Sequence, residues 1–223
     1  MIDYWRQADL VTPADLDVDV TVIGVGGLGS PIALALVKMG CPRLTIYDAD
    51  SVEPHNLPNQ LYRMADVGSP KVEALAAMLR EYAPVDVRPV PTMVTDHAHR
   101  GIVISAVDSM AARSAIWQAG IRFRAAVDLY VDARMGGEVG RVLTVIPSSP
   151  LAVEHYEQTL FTDDDGAEDP CTAQATIYST FGVAALVANQ VKRFVRAEPY
   201  SSDLIVDMAT STLIASGGPD PVK

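Results

Sequence analysis

Cysteine is nearly missing from this chain: Cys41 and Cys171 are the only two in 223 residues. Two thiols cannot build a four-cysteine zinc site, and there is no CxxC pair, so no structural zinc is expected. No apolar run approaches the roughly 20 residues that span a bilayer. The opening segment, Met1-Ile-Asp-Tyr-Trp-Arg6, lacks the apolar core of a signal peptide. The expectation is a cytoplasmic protein with no membrane partner. Basic residues are in the minority, 17 Lys and Arg against 28 Asp and Glu, for a net charge of -11. No basic patch stands out, which disfavours nucleic acid as a partner. No repeat of solenoid period is present. The G-x-x-x-x-G-K-[ST] sequence is also absent, which excludes an ordinary phosphate-loop ATPase.

What remains is an ordinary globular composition, 49% hydrophobic and 20% charged. The length suits one large α/β domain with a full core and one embellishing segment. The strongest local signal is Val22-Ile-Gly24-Val-Gly26-Gly27-Leu-Gly29-Ser30. Apolar residues lead into it from Val18, and an apolar, helix-compatible segment leaves it from Pro31 to Met39. A second short strand, Leu44 to Tyr47, ends at Asp48 and Asp50. This is a βαβ unit with the marks of a nucleotide site. Glycines permit positive φ and close backbone approach. The helix start offers free N–H groups to a phosphate. An acid after the second strand suits a ribose hydroxyl.

Further along, residues 51 to 70 are broken by Pro54, Pro58, Gly68 and Pro70. Lys71 to Tyr82 has amphipathic helical spacing. Val85 to Val90, Gly101 to Val107, Ala125 to Val131 and Gly140 to Ile146 read as strands, and Ala111 to Arg122 as a helix. The alternation predicts a doubly wound, mostly parallel, Rossmann-like sheet in a single domain over residues 1–223, with residues 1–17 as an N-terminal arm. Residues 147–170, rich in proline and acid, read as a flexible crossover loop. A long apolar helix, Ala173 to Arg196, follows and reads as buried, and Asp203 to Thr212 as one last strand. Cys41 reads as a small buried hydrophobe. His55, His97, His99 and His155 show no metal-ligand pattern and read as surface residues.

Open α/β sheets bind ligands outside the carboxyl ends of their strands. Asp48, Asp50 and the glycine loop fall at such ends, Asp108 follows a later strand, and Lys71 begins a helix. Together they describe a triphosphate site: a backbone cradle, a cation, and a carboxylate for Mg2+. A nicotinamide oxidoreductase also uses a glycine turn and an acid like Asp48. A nucleotide-binding scaffold without turnover is a further alternative.

In order and spacing the chain resembles the ThiF/MoeB/HesA family of ubiquitin-activating-enzyme-like adenylyltransferases, from about Tyr4 to Arg196. The matching pieces are Gly24-Val-Gly-Gly-Leu-Gly29, Asp48-Ala-Asp50 through Asn56 to Gln60, Val67-Gly-Ser-Pro-Lys71, Val107-Asp108 with Arg113, and Tyr4-Trp-Arg6-Gln7. The resemblance implies ATP- and Mg2+-dependent adenylation of the C-terminal glycine of a ubiquitin-like or sulfur-carrier protein. It assigns Asp48 to the ribose hydroxyls, and Asn56, Gln60 and Lys71 to ribose or phosphates. It assigns Asp108 to Mg2+, and Arg6 to the phosphates of a neighbouring subunit in a homodimer. Asn59 stands where the family has arginine, and the stretch from Asn56 to Lys71 is one residue shorter than the family pattern. Arg63 is the candidate replacement for the missing charge.

The thioester-forming members of the family carry a nucleophilic cysteine in a similar crossover loop. By that resemblance Cys171 attacks the acyl-adenylate, and a conjugating enzyme becomes a further partner. In the sulfur-carrier reading, of thiamine or molybdopterin type, the chemistry ends at adenylation and sulfur transfer. A tRNA-modifying branch also exists among similar proteins and is disfavoured by the acidic charge.

Overall fold

The computed structural model describes residues 2–94, 98–161 and 175–218. Eight strands form one sheet in the order β3-β2-β1-β4-β5-β6-β7-β8. They are β1 Val20–Ile23, β2 Arg43–Tyr47, β3 Asp86–Val90, β4 Gly101–Ser105, β5 Val127–Gly136, β6 Val139–Val145, β7 Asp203–Asp207 and β8 Thr212–Ser216. The first five run parallel. The last three are added antiparallel. The sheet is therefore mostly parallel and open, as expected. Chain order reverses between β1 and β4, which is where such sheets leave a ligand crevice.

The central strands are short apolar runs because both of their faces are covered. Every residue of β1 (Val-Thr-Val-Ile) and of β4 (Gly-Ile-Val-Ile-Ser) is buried. One face packs on α1 (Gly29–Met39), α2 (Lys71–Tyr82) and α5 (Ile177–Val195), through Leu36, Leu75, Val187 and their neighbours. The other packs on α3 (Met110–Ile116, extended by a wide turn to Ile121) and α4 (Pro150–Glu157), through Trp117 and Tyr156. No helix among the described residues is long and apolar enough to cross a membrane.

Helix α1 ends at Gly40, whose φ of 109° lets the chain turn left-handed. The Cys41 N–H then closes back on the Leu36 carbonyl at 3.0 Å. Cys41 itself is buried in the core, as expected of a small hydrophobe.

Four details differ from the sequence expectation. Residues 147–161 are not all loop: Pro150–Glu157 is helix α4, capped by the Ser149 hydroxyl accepting the Ala152 N–H at 3.4 Å. Proline suits the first turn of a helix, so Pro150 starts this element instead of breaking it. Helix α5 buries only one face (Val183, Ala184, Val187, Val191), while Tyr178 and Phe181 are exposed. The C-terminal segment makes a two-stranded hairpin, β7 and β8, in place of a single strand. His99 is buried and packs edge-on to Tyr47 at 5.9 Å; it is not a surface residue. His55 and His155 are exposed, and His97 lies outside the described residues.

Candidate nucleotide site

Parallel pairing brings the carboxyl ends of β1, β2 and β4 to one level. Ile23 is opposite Tyr47 on one side and Ser105 on the other. The Gly24 N–H donates to the Tyr47 carbonyl, and the Ala106 N–H to the Ile23 carbonyl, both at 2.8 Å. The glycine loop, Asp48 and the Ala106–Asp108 turn therefore leave the sheet side by side.

Gly24 sits at φ 82°, and a Cβ there would lie 2.8 Å from the Ala106 carbonyl oxygen. Only glycine fits both the dihedral and the approach. A Cβ on Gly29 would lie 1.8 Å from the Gly24 carbonyl oxygen, so α1 starts directly against the loop. Gly26 and Gly27 are different. A Cβ on either would meet nothing closer than 3.4 Å, with the Gln60 side chain, Thr180 and Asn59 as nearest neighbours. These two glycines leave a cradle that a side chain would fill.

The loop is held from both sides. Asp48 Oδ2 accepts the Val25 N–H at 2.8 Å, and Asp48 Oδ1 accepts the Asp50 N–H at 2.9 Å. The Tyr62 hydroxyl donates to the Val25 carbonyl at 2.7 Å, and burial holds this phenol far above its ordinary titration range. Ser30 Oγ donates to the Gly26 carbonyl at 2.7 Å and accepts the Leu61 N–H at 3.3 Å. Residues 59–62 thus form a wall over the loop. Sequence reasoning missed both Tyr62 and Ser30. The only available signal was one tyrosine and one serine near a glycine turn.

The candidate residues divide into two groups. Gln60 faces the loop, and its Oε1, like Asn59 Oδ1, is buried without a hydrogen-bond partner. Lys71 opens α2 with its side chain only 9% exposed, and its Nζ lies 2.7 Å from Asp50 Oδ2. Asp108 is exposed beyond β4, and the α3 cap is supplied by Ser109, whose Oγ accepts the Ala112 N–H at 3.2 Å. Capping therefore does not explain Asp108. Asn56 is buried at the edge of this group, with its side-chain carbonyl accepting the Glu53 N–H at 2.9 Å.

Arg63 and Arg6 are placed elsewhere. Arg63 grips Asp66 through Nε and Nη2, both at 3.1 Å, and reaches Glu81 at 3.5 Å. Its guanidinium holds the Asp66 carboxyl below its ordinary range. Glu81 is near the C-terminal end of α2, about 15 Å of helix axis from Lys71. Arg6 lies over the Trp5 ring at 5.6 Å, and the adjacent Gln7 donates to the Met39 carbonyl at 2.6 Å. That is the C-terminal end of α1, about 15 Å along the helix from the loop. Cys171 lies outside the described residues. Among the described residues no group of three or more His, Cys, Asp or Glu is placed to hold a metal ion.

Chemically, the cluster offers a concave backbone cradle at a helix start, one buried cation, two exposed carboxylates (Asp50 and Asp108), and two unpartnered amide oxygens. Buried acceptors of this kind call for a donor. A ribose hydroxyl supplies a donor, and an ionised phosphate does not. The backbone N–H groups at the helix start and the Lys71 ammonium offer donors suited to phosphate oxygens.

The chain is similar to known proteins in sequence and in fold. The uba4 protein of Emericella nidulans, named adenylyltransferase and sulfurtransferase, is 39% identical over 84 residues, 37% of this chain and 16% of that protein. The SAMP-activating enzyme E1 of Haloferax volcanii is 43% identical over 77 residues, 34% of this chain and 28% of that protein. The matched stretch spans less than a third of either relative's length. In fold, the chain is similar to E. coli MccB crystallised with ATP, with a TM-score of 0.70 at 17% identity over 94% of this chain and 67% of that one. The ThiF family model matches residues 15–208, and the chain accordingly belongs to the ThiF family.

Proposed function

We propose that this chain uses Mg2+ and ATP to adenylate the C-terminal glycine carboxylate of a ubiquitin-like or sulfur-carrier protein. The observation that carries the reading is the open Gly26–Gly27 cradle at the carboxyl ends of the central strands, joined to the buried Lys71 cation through Asp50 and Asp48. The names of the two curated relatives support the same activity.

In this reading Asp48 and Gln60 bind the ribose hydroxyls, with Asn56 behind them. The loop N–H groups and Lys71 hold the phosphates. Asp108 would hold Mg2+, which would supply positive charge beside the phosphates; this ion commonly needs only one or two protein carboxylates, so a single exposed one suffices. The chemical difficulty is that a carboxylate must approach a polyanion. One carboxylate oxygen of the carrier attacks the α-phosphorus. The bond to the bridging oxygen breaks, and pyrophosphate leaves. Lys71 and the helix start offset the charge that grows on the departing group.

Arg6 neighbours Gln7, which is held at the end of α1 remote from the loop, and this supports service to a neighbouring subunit in a homodimer. Exposed Trp5 and Leu10 on the same arm are in keeping with such an interface. In the second step the Cys171 thiolate attacks the acyl carbon, forming the thioester and releasing AMP. The alternative, adenylation followed by sulfur transfer, is favoured by the name of the Emericella relative.

The test is ATP–pyrophosphate exchange with small ubiquitin-like proteins that end in glycine. Carrier-dependent exchange is expected, together with a thiol-sensitive enzyme–carrier adduct that Cys171→Ala abolishes while exchange persists. Exchange without any adduct supports the sulfur-carrier reading. Nucleotide binding with no exchange for any carrier leaves the scaffold reading in its place.

A further inference from the structure

We propose that Asp132, Arg134 and Tyr156 are positioning residues that hold the Asp108 turn from beneath and tie it to the last turn of α4. The inference rests on Asp108 being the Mg2+ carboxylate of the function proposed above. It concerns side chains that lie one layer away from the candidate site.

Asp132 is fully buried on β5, opposite Ser105 of β4. Its Oδ1 accepts from the Arg113 guanidinium. Its Oδ2 accepts from Arg134 Nε at 2.8 Å and from the Tyr156 hydroxyl at 3.0 Å. A second nitrogen of Arg113 donates to the Val107 carbonyl, the oxygen of the peptide that leads into Asp108. On the other side, the Arg134 fork donates to the Thr159 carbonyl at 2.8 Å and to the Thr159 hydroxyl at 3.0 Å. Thr159 Oγ1 in turn donates to the Tyr156 carbonyl at 2.7 Å. An unbroken line of hydrogen bonds therefore runs from the Val107–Asp108 peptide, through β5, to the end of α4.

Stability alone does not call for this arrangement. Taking ions out of water carries a large penalty, and apolar residues of similar volume often serve as well. The same position already has apolar neighbours: Tyr156 packs against Trp117 at 4.4 Å and Tyr130 at 5.5 Å between ring centres. What a carboxylate and two guanidinium forks add is direction. They fix the orientation of the Val107 carbonyl, and with it the angle at which the exposed Asp108 carboxylate leaves the sheet. Burial keeps the Tyr156 phenol protonated, so it remains a donor to Asp132. Metal coordination is sensitive to such orientation through the groups behind the ligand.

The test uses Arg134→Gln and Tyr156→Phe, with Arg141→Gln as control. Arg141 makes a comparable fork with Asp203, at 3.0 and 2.7 Å, on the antiparallel half of the sheet. ATP affinity is measured by calorimetry with Mg2+ and with EDTA, and amide hydrogen exchange is followed at residues 107–110 without nucleotide. In Arg134→Gln the gain in ATP affinity on adding Mg2+ is expected to fall about fivefold, while affinity in EDTA stays at the wild-type level. Tyr156→Phe shows a smaller fall, and Arg141→Gln none. Exchange at 107–110 speeds up in the first two variants only. Folded Arg134→Gln and Tyr156→Phe proteins with an unchanged Mg2+ gain and unchanged exchange overturn the inference. If Arg134→Gln does not fold, Tyr156→Phe carries both readouts. If the wild type binds no Mg2+–ATP, the proposed function fails and amide exchange alone decides the positioning role.

Discussion

The ammonium of Lys71 and the carboxylate of Asp50 lie 2.7 Å apart, one side chain 9% exposed and the other 69%. Their main chains are joined as well, the Lys71 N–H donating to the Asp50 carbonyl at 2.9 Å. The cation is thus fixed at the start of α2 by an acid that water still reaches. Water weakens that attraction, so a phosphate is able to displace Asp50 from the ammonium. Lys71→Ala is expected to lower carrier-dependent ATP–pyrophosphate exchange about 100-fold, the scale for loss of one preorganised charge donor. Asp50→Asn is expected to change it by less than about tenfold, since only the exposed partner of the pair is lost. Steady-state exchange rates on both variants check this, and an equal loss in both places Lys71 in a structural role only.

The glycines separate shape from strain. Gly26→Ala adds a methyl with nothing nearer than 3.7 Å, so thermal stability stays within about 0.5 kcal/mol of wild type. The same methyl enters the cradle, so ATP affinity falls about tenfold or more. Gly24→Ala meets a carbonyl oxygen at 2.8 Å and a left-handed backbone. It is expected to destabilise the fold by more than about 2 kcal/mol. Thermal melts paired with ATP titrations distinguish the two. Full ATP affinity in Gly26→Ala contradicts a phosphate cradle at this position.

Asp108 and Ser109 are neighbours with different work. Ser109 caps α3 at 3.2 Å, so Ser109→Ala is expected to lower stability by about 1 kcal/mol. Asp108→Asn leaves stability nearly untouched, because the side chain is exposed and caps nothing. It should instead lower Mg2+-dependent exchange about 100-fold. Denaturant unfolding and exchange assays on the pair give the crossed pattern. The reverse pattern removes Asp108 from the metal.

Burial pushes the Cys41 thiol up to about 11 from 9.0. The folded chain therefore holds this proton more tightly than the unfolded chain. The associated stability is whole below pH 9 and fades as pH climbs from 9 toward about 11. At pH 8 Cys41 is expected to resist iodoacetamide until the protein is unfolded. The thioester reading requires Cys171 to react in the native state. Mass spectrometry of native protein should then find a single alkyl group, on Cys171. Labelling of Cys41 alone contradicts both statements.

The first βαβ unit was legible because its signals are local. Val20 to Ile23, the glycines and Asp48 carry their meaning within 30 residues, and the sheet places them as their spacing predicts. The wall over the loop was less legible. Tyr62 and Ser30 act through single hydrogen bonds to loop carbonyls, and nothing in their neighbours' identities marks that contact. Proline density hid α4, although Ser149-Pro150 has the cap-then-proline order of a helix start. The Asp132 network was invisible for a different reason. Arg113, Asp132, Arg134 and Tyr156 meet only after α3, β5 and α4 have packed, and charges on a strand usually mark a solvent face. His99 fell to the same long-range effect, since Tyr47 of β2 covers it. Arg63 looked available for the phosphates from sequence order, but Asp66, three residues on, takes its guanidinium.

A crystal structure of the protein with Mg2+ and a non-hydrolysable ATP analogue bears most directly on the nucleotide site. The triphosphate should lie along residues 24–29, with its ribose against Asp48 and Gln60, Lys71 Nζ on a phosphate oxygen, and the metal on Asp108. A nucleotide bound away from the glycine loop, or one that leaves Lys71 on Asp50 and Asp108 facing solvent, contradicts the assignment.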